Sequence, residues 1–298
     1  MVSPLLADLF ESHRAHLISV AYRLTGSVGD AEDAVQESWL RMAGAHQSEI
    51  EDLRAWLTTV VSRICLDHLR SAAVRRETYV GQWLPEPIVT GQARSDDPLE
   101  VVVRNQDNRM AAMVVLDALT PQQRVALVLH DSLAVPFDEI ADILGVSPDA
   151  ARQLAVRARK TVARTPPPVT DDAHDEAVQR FLTALATGDI AAVAATLHPD
   201  VNFIADAGGT ARTALNVVEG AEKVARLAVG LWRKQLEEPA LEIGFAAVNG
   251  QSGLVLTDPN SPFGRAVRVL AFSVRDGLVC AAYDFANVAK LSGARLRT

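Results

Sequence analysis

The sequence predicts a multidomain chain: two all-α helical domains, the second carrying a helix-turn-helix, followed by an α+β domain. Three observations predict it. Residues 5–76 and 104–164 place apolar side chains at helical three-and-four spacing. The run Thr165-Pro166-Pro167-Pro168-Val169 is a stiff, extended spacer and marks the clearest boundary. Beyond it, short helical stretches give way to strand-like segments. At 298 residues the chain has room for two or three domains, and with 49% apolar residues each can bury its own core.

The first block, residues 1–76, is helical and broken at Gly26, Gly29 and Gly44. Phe10, His13, Leu17, Val20, Ala21 and Leu24 form one stripe. In the next helix Asp30, Glu32, Asp33 and Glu37 make an acidic face, while Ala31, Val35, Trp39 and Leu40 face a core. Acids at a helix start also suit the macrodipole, which by itself accounts for Asp30, Glu32 and Asp33. The helix from Leu53 to Arg70 carries Arg54, Arg63 and Arg70, and with Arg75 and Arg76 these make a positive strip, either functional or simply solvated. Trp39 and Trp56 sit on apolar stripes and read as core.

Residues 77–103 form a linker, on the evidence of Gly81, Pro85, Pro87, Gly91 and Pro98. Trp83, an aromatic before the prolines, reads as an anchor into a neighbouring domain. In the second block, 104–164, Phe137, Ile140, Ala141 and Leu144 make a buried stripe that Gly145 stops, since a residue without Cβ tolerates the left-handed conformation. Ser147 caps the next helix, and Pro148 sits where a missing N–H costs nothing. That helix, Asp149 to Arg164, carries Arg152, Arg157, Arg159, Lys160 and Arg164 against one acid. In a helix-turn-helix it lies in the DNA major groove. Arg152 and Gln153 can make bidentate contacts with base edges. Arg157, Lys160 and Arg164 are placed for phosphates.

After the spacer at 165–170, residues 171–298 read as helices over Asp175–Thr187, Ile190–Leu197 and Asn216–Lys234. Strands are read over Val201–Ala205, Ala240–Val248, Gly253–Thr257, Ala266–Val274 and Leu278–Phe285. Short helices followed by an antiparallel sheet indicate an α+β fold.

The net charge of −8 excludes a general nucleic-acid coat, because positive charge is local to the helix after Ser147. That pattern suits a protein brought to DNA by a larger partner. The N-terminus shows no signal peptide, and no window is apolar for long enough to span a membrane. Cys65 and Cys280 have no metal-like spacing around them, so a cytoplasmic protein with two buried thiols is expected and no metal site is predicted.

Residues 5–76 resemble the promoter-melting domain, and 104–164 the promoter-distal domain, of an extracytoplasmic-function RNA polymerase sigma factor. The Asp30–Leu40 and Leu53–Arg70 segments carry the resemblance, together with their order relative to the helix-turn-helix. Residues 171–298 resemble the SnoaL-like cone domain. Trp83-Leu84-Pro85-Glu86-Pro87 matches a motif of the sigma-J-like subgroup, which carries this extension. Asp206-Ala207-Gly208-Gly209-Thr210 and Asn287-Val288-Ala289-Lys290-Leu291 each keep three of five residues of two further subgroup motifs.

The resemblance implies a protein with no covalent chemistry and no cofactor, which directs core RNA polymerase to promoter DNA and helps open it. Asp30, Glu32, Asp33 and Gln36 would dock on the polymerase. The loop Ala43–Asp52, with Arg54 and Arg63 on nearby phosphates, would meet the −10 element, where a base must leave the stack. Arg152, Gln153, Arg157 and Lys160 would meet the −35 element. Trp83, Leu84, Pro85, Glu86, Pro87, Asp206, Gly208, Gly209, Asn287, Lys290 and Leu291 would be interdomain regulatory contacts, through which the extension biases the arrangement of the sigma domains.

Cone folds of this kind enclose an apolar pocket, so a small-molecule ligand is a further expected partner, although no residue identifies it. His198, Asp200, Asp206, Asp258, Tyr283 and Asp284 are the groups capable of acid–base work there. In a strand Tyr283 and Asp284 point to opposite faces, and no pair has a spacing that chemistry demands. Two other classes stay open. A stand-alone helix-turn-helix regulator would bind a duplex operator without the polymerase. A pocket enzyme tethered to a DNA-binding module would lose turnover on Asp206→Asn.

Overall fold

A computed structural model of the chain describes residues 4–46, 50–76, 79–90, 108–163, 169–209, 211, 213–237, 241–258, 260 and 266–291. These residues form two compact units, one of 4–76, 108 and 112–163, the other of 79–90, 109–111 and 169–291.

In the first unit α1 (Pro4–Thr25), α2 (Val28–Gly44) and α3 (Leu53–Arg76) pack through Leu17, Ala21, Leu24, Ala31, Val35, Leu57, Val61 and Ile64, all buried. Ser27 caps α2, its hydroxyl accepting from the Asp30 amide at 3.2 Å. The stripe read in α1 is buried apart from His13, which is half-buried. Trp39 is half-buried, its ring centroid 5.2 Å from that of Phe10. Leu40 does not face the core. It is 63% exposed, because it lies about 140° around the helix from buried Val35.

The same unit continues through α4 (Met110–Asp117) from Ala112 onward, α5 (Pro121–Leu127), a π-helical turn at Val128–Ser132, α6 (Phe137–Leu144) and α7 (Pro148–Val162). Thr120 and Gln123 form a reciprocal capping box at the start of α5. Gly145 ends α6 with φ +68°, and Ser147 caps α7 by accepting from the Ala150 amide at 3.2 Å. The inward face of α7 is Ala151, Ala155 and Ala158, small enough for a close approach to α5. Phe137 is half-buried rather than core, and stacks on His130 with centroids 3.9 Å apart. Arg124 is 2% exposed; it donates to Leu24 O at 2.9 Å, Leu116 O at 2.7 Å and Asp117 Oδ1 at 2.7 Å, fastening α5 to the end of α1.

The second unit is built on a seven-stranded sheet in the order β1-β4-β5-β6-β7-β2-β3. The strands are β1 (Val89–Thr90), β2 (Leu197–Asp206), β3 (Val218–Glu219), β4 (Glu242–Val248), β5 (Gln251–Thr257), β6 (Ala266–Arg275) and β7 (Leu278–Phe285). The sheet is mixed, not antiparallel throughout. β2 runs parallel to β7, and the long stretch of chain between them provides the crossover such a pair needs. Helices α8 (Asp171–Thr187), α9 (Ile190–Ala195) and α10 (Ala221–Glu237) accompany it. Phe181 of α8 and Val224 of α10 are buried with Phe203, Leu254, Phe272 and Ala282 of the sheet in one core.

Several boundaries differ from the sequence reading. α8 starts four residues before Asp175 because Thr170 caps it. Leu197 opens β2 instead of closing a helix. Asn216–Lys234 is not one helix: Val218 and Glu219 pair with Phe203 and Asn202, and the helix begins only at Ala221. Within the segment read as a linker, Val89 and Thr90 pair with Val248 and Ala247 and make an edge strand. In each case pairing with a distant strand or a cap outweighs local periodicity. The prolines at 166–168, Arg164 and Thr210 lie outside the described residues.

Candidate functional site

The outer face of α7 carries Arg152, Gln153, Arg157 and Lys160, all exposed. This follows from the alanines opposite, since residues at helical spacing from Ala151, Ala155 and Ala158 must face away. Arg152 is held in place: it pairs with Asp149 at 2.6 Å, and its guanidinium carbon stands 5.2 Å above the Phe137 ring centroid. Arg159 belongs to the scaffold. It makes a bidentate pair with Asp131 at 2.8 and 2.5 Å, which raises its pKa.

On α2 Glu32, Asp33 and Gln36 are exposed and Asp30 is half-buried, while Glu37 pairs with Arg41 at 2.5 Å. On α3 Arg54 is exposed, with Nη2 3.2 Å from His16 Nδ1; His16 Nε2 lies 3.1 Å from the Thr58 hydroxyl. Burial, Arg54 and His13 together lower the His16 pKa to about 4. Arg63 Nη2 donates to Asp142 O of α6 at 3.5 Å. The strip on α3 and the helix-turn-helix therefore touch. Between them lies a polar groove of about 420 Å³, lined by His16, Asp52, Arg54, Thr58, Pro136 and Glu139 among others. The side chains of Arg75 and Arg76, and residues 47–49 of the Ala43–Asp52 loop, lie outside the described residues.

The second unit contains the most developed polar cluster, centred on Asp206 at the end of β2. Asp206 is fully buried. Its Oδ1 accepts from the Tyr79 hydroxyl, and its Oδ2 accepts from the Leu84 amide at 2.8 Å and Lys290 Nζ at 2.5 Å. Lys290, 8% exposed, also donates to Leu84 O at 2.5 Å and sits 3.2 Å above the centroid of the Trp83 ring. Asn287 Nδ2 donates to the Tyr79 hydroxyl at 2.8 Å, and burial together with the Asp206 hydrogen bond raises the Tyr79 pKa.

Gly208 lets these parts close. Its φ is +54°, and a Cβ there would meet Asn287 Nδ2 at 2.6 Å and the Tyr79 hydroxyl at 3.1 Å. Gly209 is less confined, with Val80 at 3.5 Å. Leu84, Pro85, Pro87 and Leu291 are buried and Glu86 is half-buried. Downstream, the Ile88 amide donates to Asn249 Oδ1 at 3.0 Å and the Asn249 amide to Ile88 O at 2.8 Å. Residues 79–90 are thus wound onto the cone domain by a buried charge pair, an aromatic–cation stack and an edge strand. The sequence singled out Trp83, Asp206, Asn287 and Lys290, which the structure brings together. It missed Tyr79 and Asn249, for which the only signal was an aromatic four residues before Trp83.

Of the six groups considered for acid–base work, only Asp284 lines the apolar cavity of the cone domain. His198 and Asp200 cluster with Arg275, and Asp258 accepts from the Asn260 amide in a turn. Tyr283 is buried on the opposite face, its hydroxyl hydrogen-bonded to Ser273 at 3.3 Å, and burial pushes its pKa up to about 12. Asp206 is consumed in the cluster above. Among the described residues no group of three or more His, Cys, Asp or Glu side chains could hold a metal ion. Both cysteines are free and buried, and burial raises both thiol pKa values. No helix among the described residues is long and apolar enough to cross a membrane.

Residues 9–75 match the Sigma-70 region 2 family, residues 109–162 the Sigma-70 region 4 family, and residues 178–282 the SnoaL-like domain family. The chain is 52% identical over 294 residues to the ECF RNA polymerase sigma factor SigJ of Mycobacterium tuberculosis, covering 97% of this chain and 94% of that protein. It is 32% identical over 277 residues to the probable ECF RNA polymerase sigma factor SigI of the same organism, covering 91% and 89%. The crystal structure of M. tuberculosis SigJ superposes with a TM-score of 0.80 at 50% identity, covering 98% of this chain and all of that one.

Proposed function

The chain belongs to the extracytoplasmic-function RNA polymerase sigma factors, and on that premise we propose that its SnoaL-like domain restrains the sigma module by holding the connection between its two helical blocks. As a sigma factor it binds core RNA polymerase and directs promoter recognition and initiation, and it acts in the cytoplasm. Residues 1–76 serve polymerase binding and promoter melting, with Asp30, Glu32, Asp33 and Gln36 on the polymerase and Arg54 and Arg63 near the −10 element. Residues 104–164 serve the −35 element through Arg152, Gln153, Arg157 and Lys160. The C-terminal domain has an enzyme-like fold and is read as non-catalytic, because the one acid among the described residues lining its apolar cavity, Asp284, is engaged by Thr213 and Arg268.

One observation carries the regulatory reading. Residues 79–90 belong by sequence to the connection between the two sigma blocks, yet Asp206, Asn287 and Lys290 fasten them to the cone domain. Fully extended, residues 77–107 would reach about 110 Å, whereas 91–107 reach about 60 Å. The two promoter elements lie roughly 25 base pairs apart, about 85 Å of duplex at 3.4 Å per base pair. Fastening the segment removes nearly half the reach of a connection that must serve both. The cone domain therefore favours arrangements with a short connection, and this difference between states is what a regulator requires.

The test is transcription in vitro with purified core RNA polymerase. The comparison is the full chain against chains ending at Pro168 and at Phe285, the latter retaining every strand but lacking Asn287 and Lys290. Promoter-specific transcripts rising several-fold in both shortened chains are expected. Equal output from all three would refute restraint by the cone domain, and no transcript from any would refute sigma activity.

A further inference from the structure

Two consecutive residues of one π-helical turn hold α7. In the turn Val128–Ser132, Asp131 accepts from two nitrogens of Arg159, at 2.8 and 2.5 Å. Its neighbour His130 reaches the first half of the same helix through an intermediary. The His130 ring stacks on Phe137, with centroids 3.9 Å apart and planes 26° from parallel. The Arg152 guanidinium carbon in turn stands 5.2 Å from the centroid of that phenyl ring. Turns of the π type concentrate at functional sites.

The chain between the turn and Phe137 is fixed at each step. Ala134 has φ +54°, a left-handed conformation that a residue with a Cβ adopts at a cost. Its amide donates to His130 O and the Val135 amide to Leu129 O, each at 3.0 Å. His130 Nδ1 lies 3.1 Å from Val135 O, an atom that only accepts, so the ring donates there and its plane is set. Pro136 then leads into α6 with φ −60°. Backbone strain persists where surrounding contacts over-determine it, and here it accompanies a half-buried phenyl ring set between His130 and Arg152.

The Arg152 side chain is 54% exposed and its partner Asp149 90% exposed. An exposed pair of this kind confines an arginine weakly and is screened by salt. The phenyl ring adds a second point of attachment. Nη1 donates to Asp149 Oδ1 at 2.6 Å, while Nε and Nη2 have no other hydrogen-bond partner among the described residues. Those two nitrogens share one edge of the planar fork, which suits O6 and N7 of a guanine.

We infer that Phe137, backed by His130, is a positioning residue for base readout, holding the Arg152 guanidinium in the pose that meets a guanine edge. The inference rests on the reading of Arg152 as a contact to the −35 element. A long side chain gives up rotamer freedom on binding, and one confined beforehand gives up less. The gain is confined to a contact that needs two nitrogens in one orientation. Phosphate contacts, assigned to Arg157 and Lys160, carry no sequence information and set the salt dependence. The stack therefore acts on discrimination at one base pair and leaves the electrostatic part of binding alone.

The experiment measures binding of holoenzyme, assembled from the full chain and core RNA polymerase, to a promoter that the parent selects from a library randomised over the −35 element. Each base pair of that element is then changed singly. Arg152→Ala should lower discrimination at one guanine by about tenfold. Phe137→Leu should lower it at the same base pair by roughly two- to fivefold, and Phe137→Tyr should restore it. Discrimination at the other positions and the salt slope should stay as in the parent, and Phe137→Leu should add nothing in the Arg152→Ala background. Where circular dichroism shows that Phe137→Leu fails to fold, His130→Ala, which leaves the phenyl ring unbacked, should show the same loss at the same base pair. An even loss over all positions, an altered salt slope, no restoration by tyrosine, or a further loss in the Arg152→Ala background would each overturn the assignment. A loss at one base pair from Arg152→Ala with none from Phe137→Leu or His130→Ala would overturn the positioning role and leave the reading of Arg152 standing. No such loss from Arg152→Ala would overturn both.

Discussion

Lys290 Nζ lies 2.5 Å from Asp206 Oδ2, with the lysine side chain 9% exposed and the aspartate fully buried. The pair works because its groups have further partners in the linker segment. Trp83 covers the ammonium, Leu84 supplies one donor and one acceptor, and Tyr79 donates to the second carboxylate oxygen. A buried ion pair contributes little net stability without such support, and here the support comes from the segment that joins the two sigma blocks.

Lys290→Met removes the cation and leaves the buried Asp206 without its ion-pair partner. We expect a loss of about 3–5 kcal/mol in the unfolding of the cone domain, measured by urea denaturation. The double variant Asp206→Leu with Lys290→Met should lose less than either single change. A single-variant loss below about 1 kcal/mol would contradict the role given to the pair.

Gly208→Ala should destabilise more than Gly209→Ala. Both positions have positive φ and both incur the backbone cost of roughly 1–3 kcal/mol. Only at Gly208 does the added Cβ collide with Asn287 and Tyr79. Thermal unfolding of the two variants ranks them, and the reverse order would show that the cluster closes in another way.

Arg124→Met should unfold the first unit at markedly lower denaturant, by about 3–5 kcal/mol, because Asp117 and the carbonyls of Leu24 and Leu116 lose a buried donor together. Protection of the last turn of α1 against amide exchange should fall in the same variant. Unchanged protection there would mean that α5 does not fasten α1.

His16 makes the first unit sensitive to acid. Its folded pKa of about 4 lies below the unfolded value of 6.5, so the unfolded chain binds the extra proton between those pH values. The contribution is fully present above pH 6.5 and is lost as pH falls toward 4. Urea midpoints followed from pH 7.5 to 4 should decline less steeply in His16→Gln than in the parent chain, and parallel slopes would remove His16 as the cause.

Arg157→Ala and Lys160→Ala should each weaken promoter binding by the polymerase holoenzyme evenly across −35 sequences and lower the salt slope by about 1. Arg152→Ala should instead relax base preference at one position, by about 1–3 kcal/mol. Binding titrations over salt and over single-base variants separate the two effects, and a uniform loss on Arg152→Ala would move that residue to the phosphates.

The sigma module was legible because its signals are local. Gly145, Ser147 and Pro148 stop one helix and start the next using only their own backbone chemistry, and the alanines of α7 give its outward face by spacing alone. The cone domain was half legible. Its main strands announced themselves by composition, but β1 and β3 are two residues each and exist only because a neighbouring edge pairs with them. Leu40 and Phe137 were misplaced because periodicity shows that a stripe exists, not how far a neighbouring element covers it.

By itself the sequence determined the order of the modules, the helix-turn-helix with its exposed basic face, and the separate motifs around Trp83, Asp206 and Lys290. Each depends on interactions between residues a few positions apart. Only the tertiary structure decided that those three motifs meet in one buried cluster, that Tyr79 and Asn249 complete it, and that Asp284 alone of the candidate acids faces the cavity. Such outcomes depend on side chains 84 to 208 positions apart being brought within hydrogen-bond range, and local periodicity contains nothing about distances of that kind.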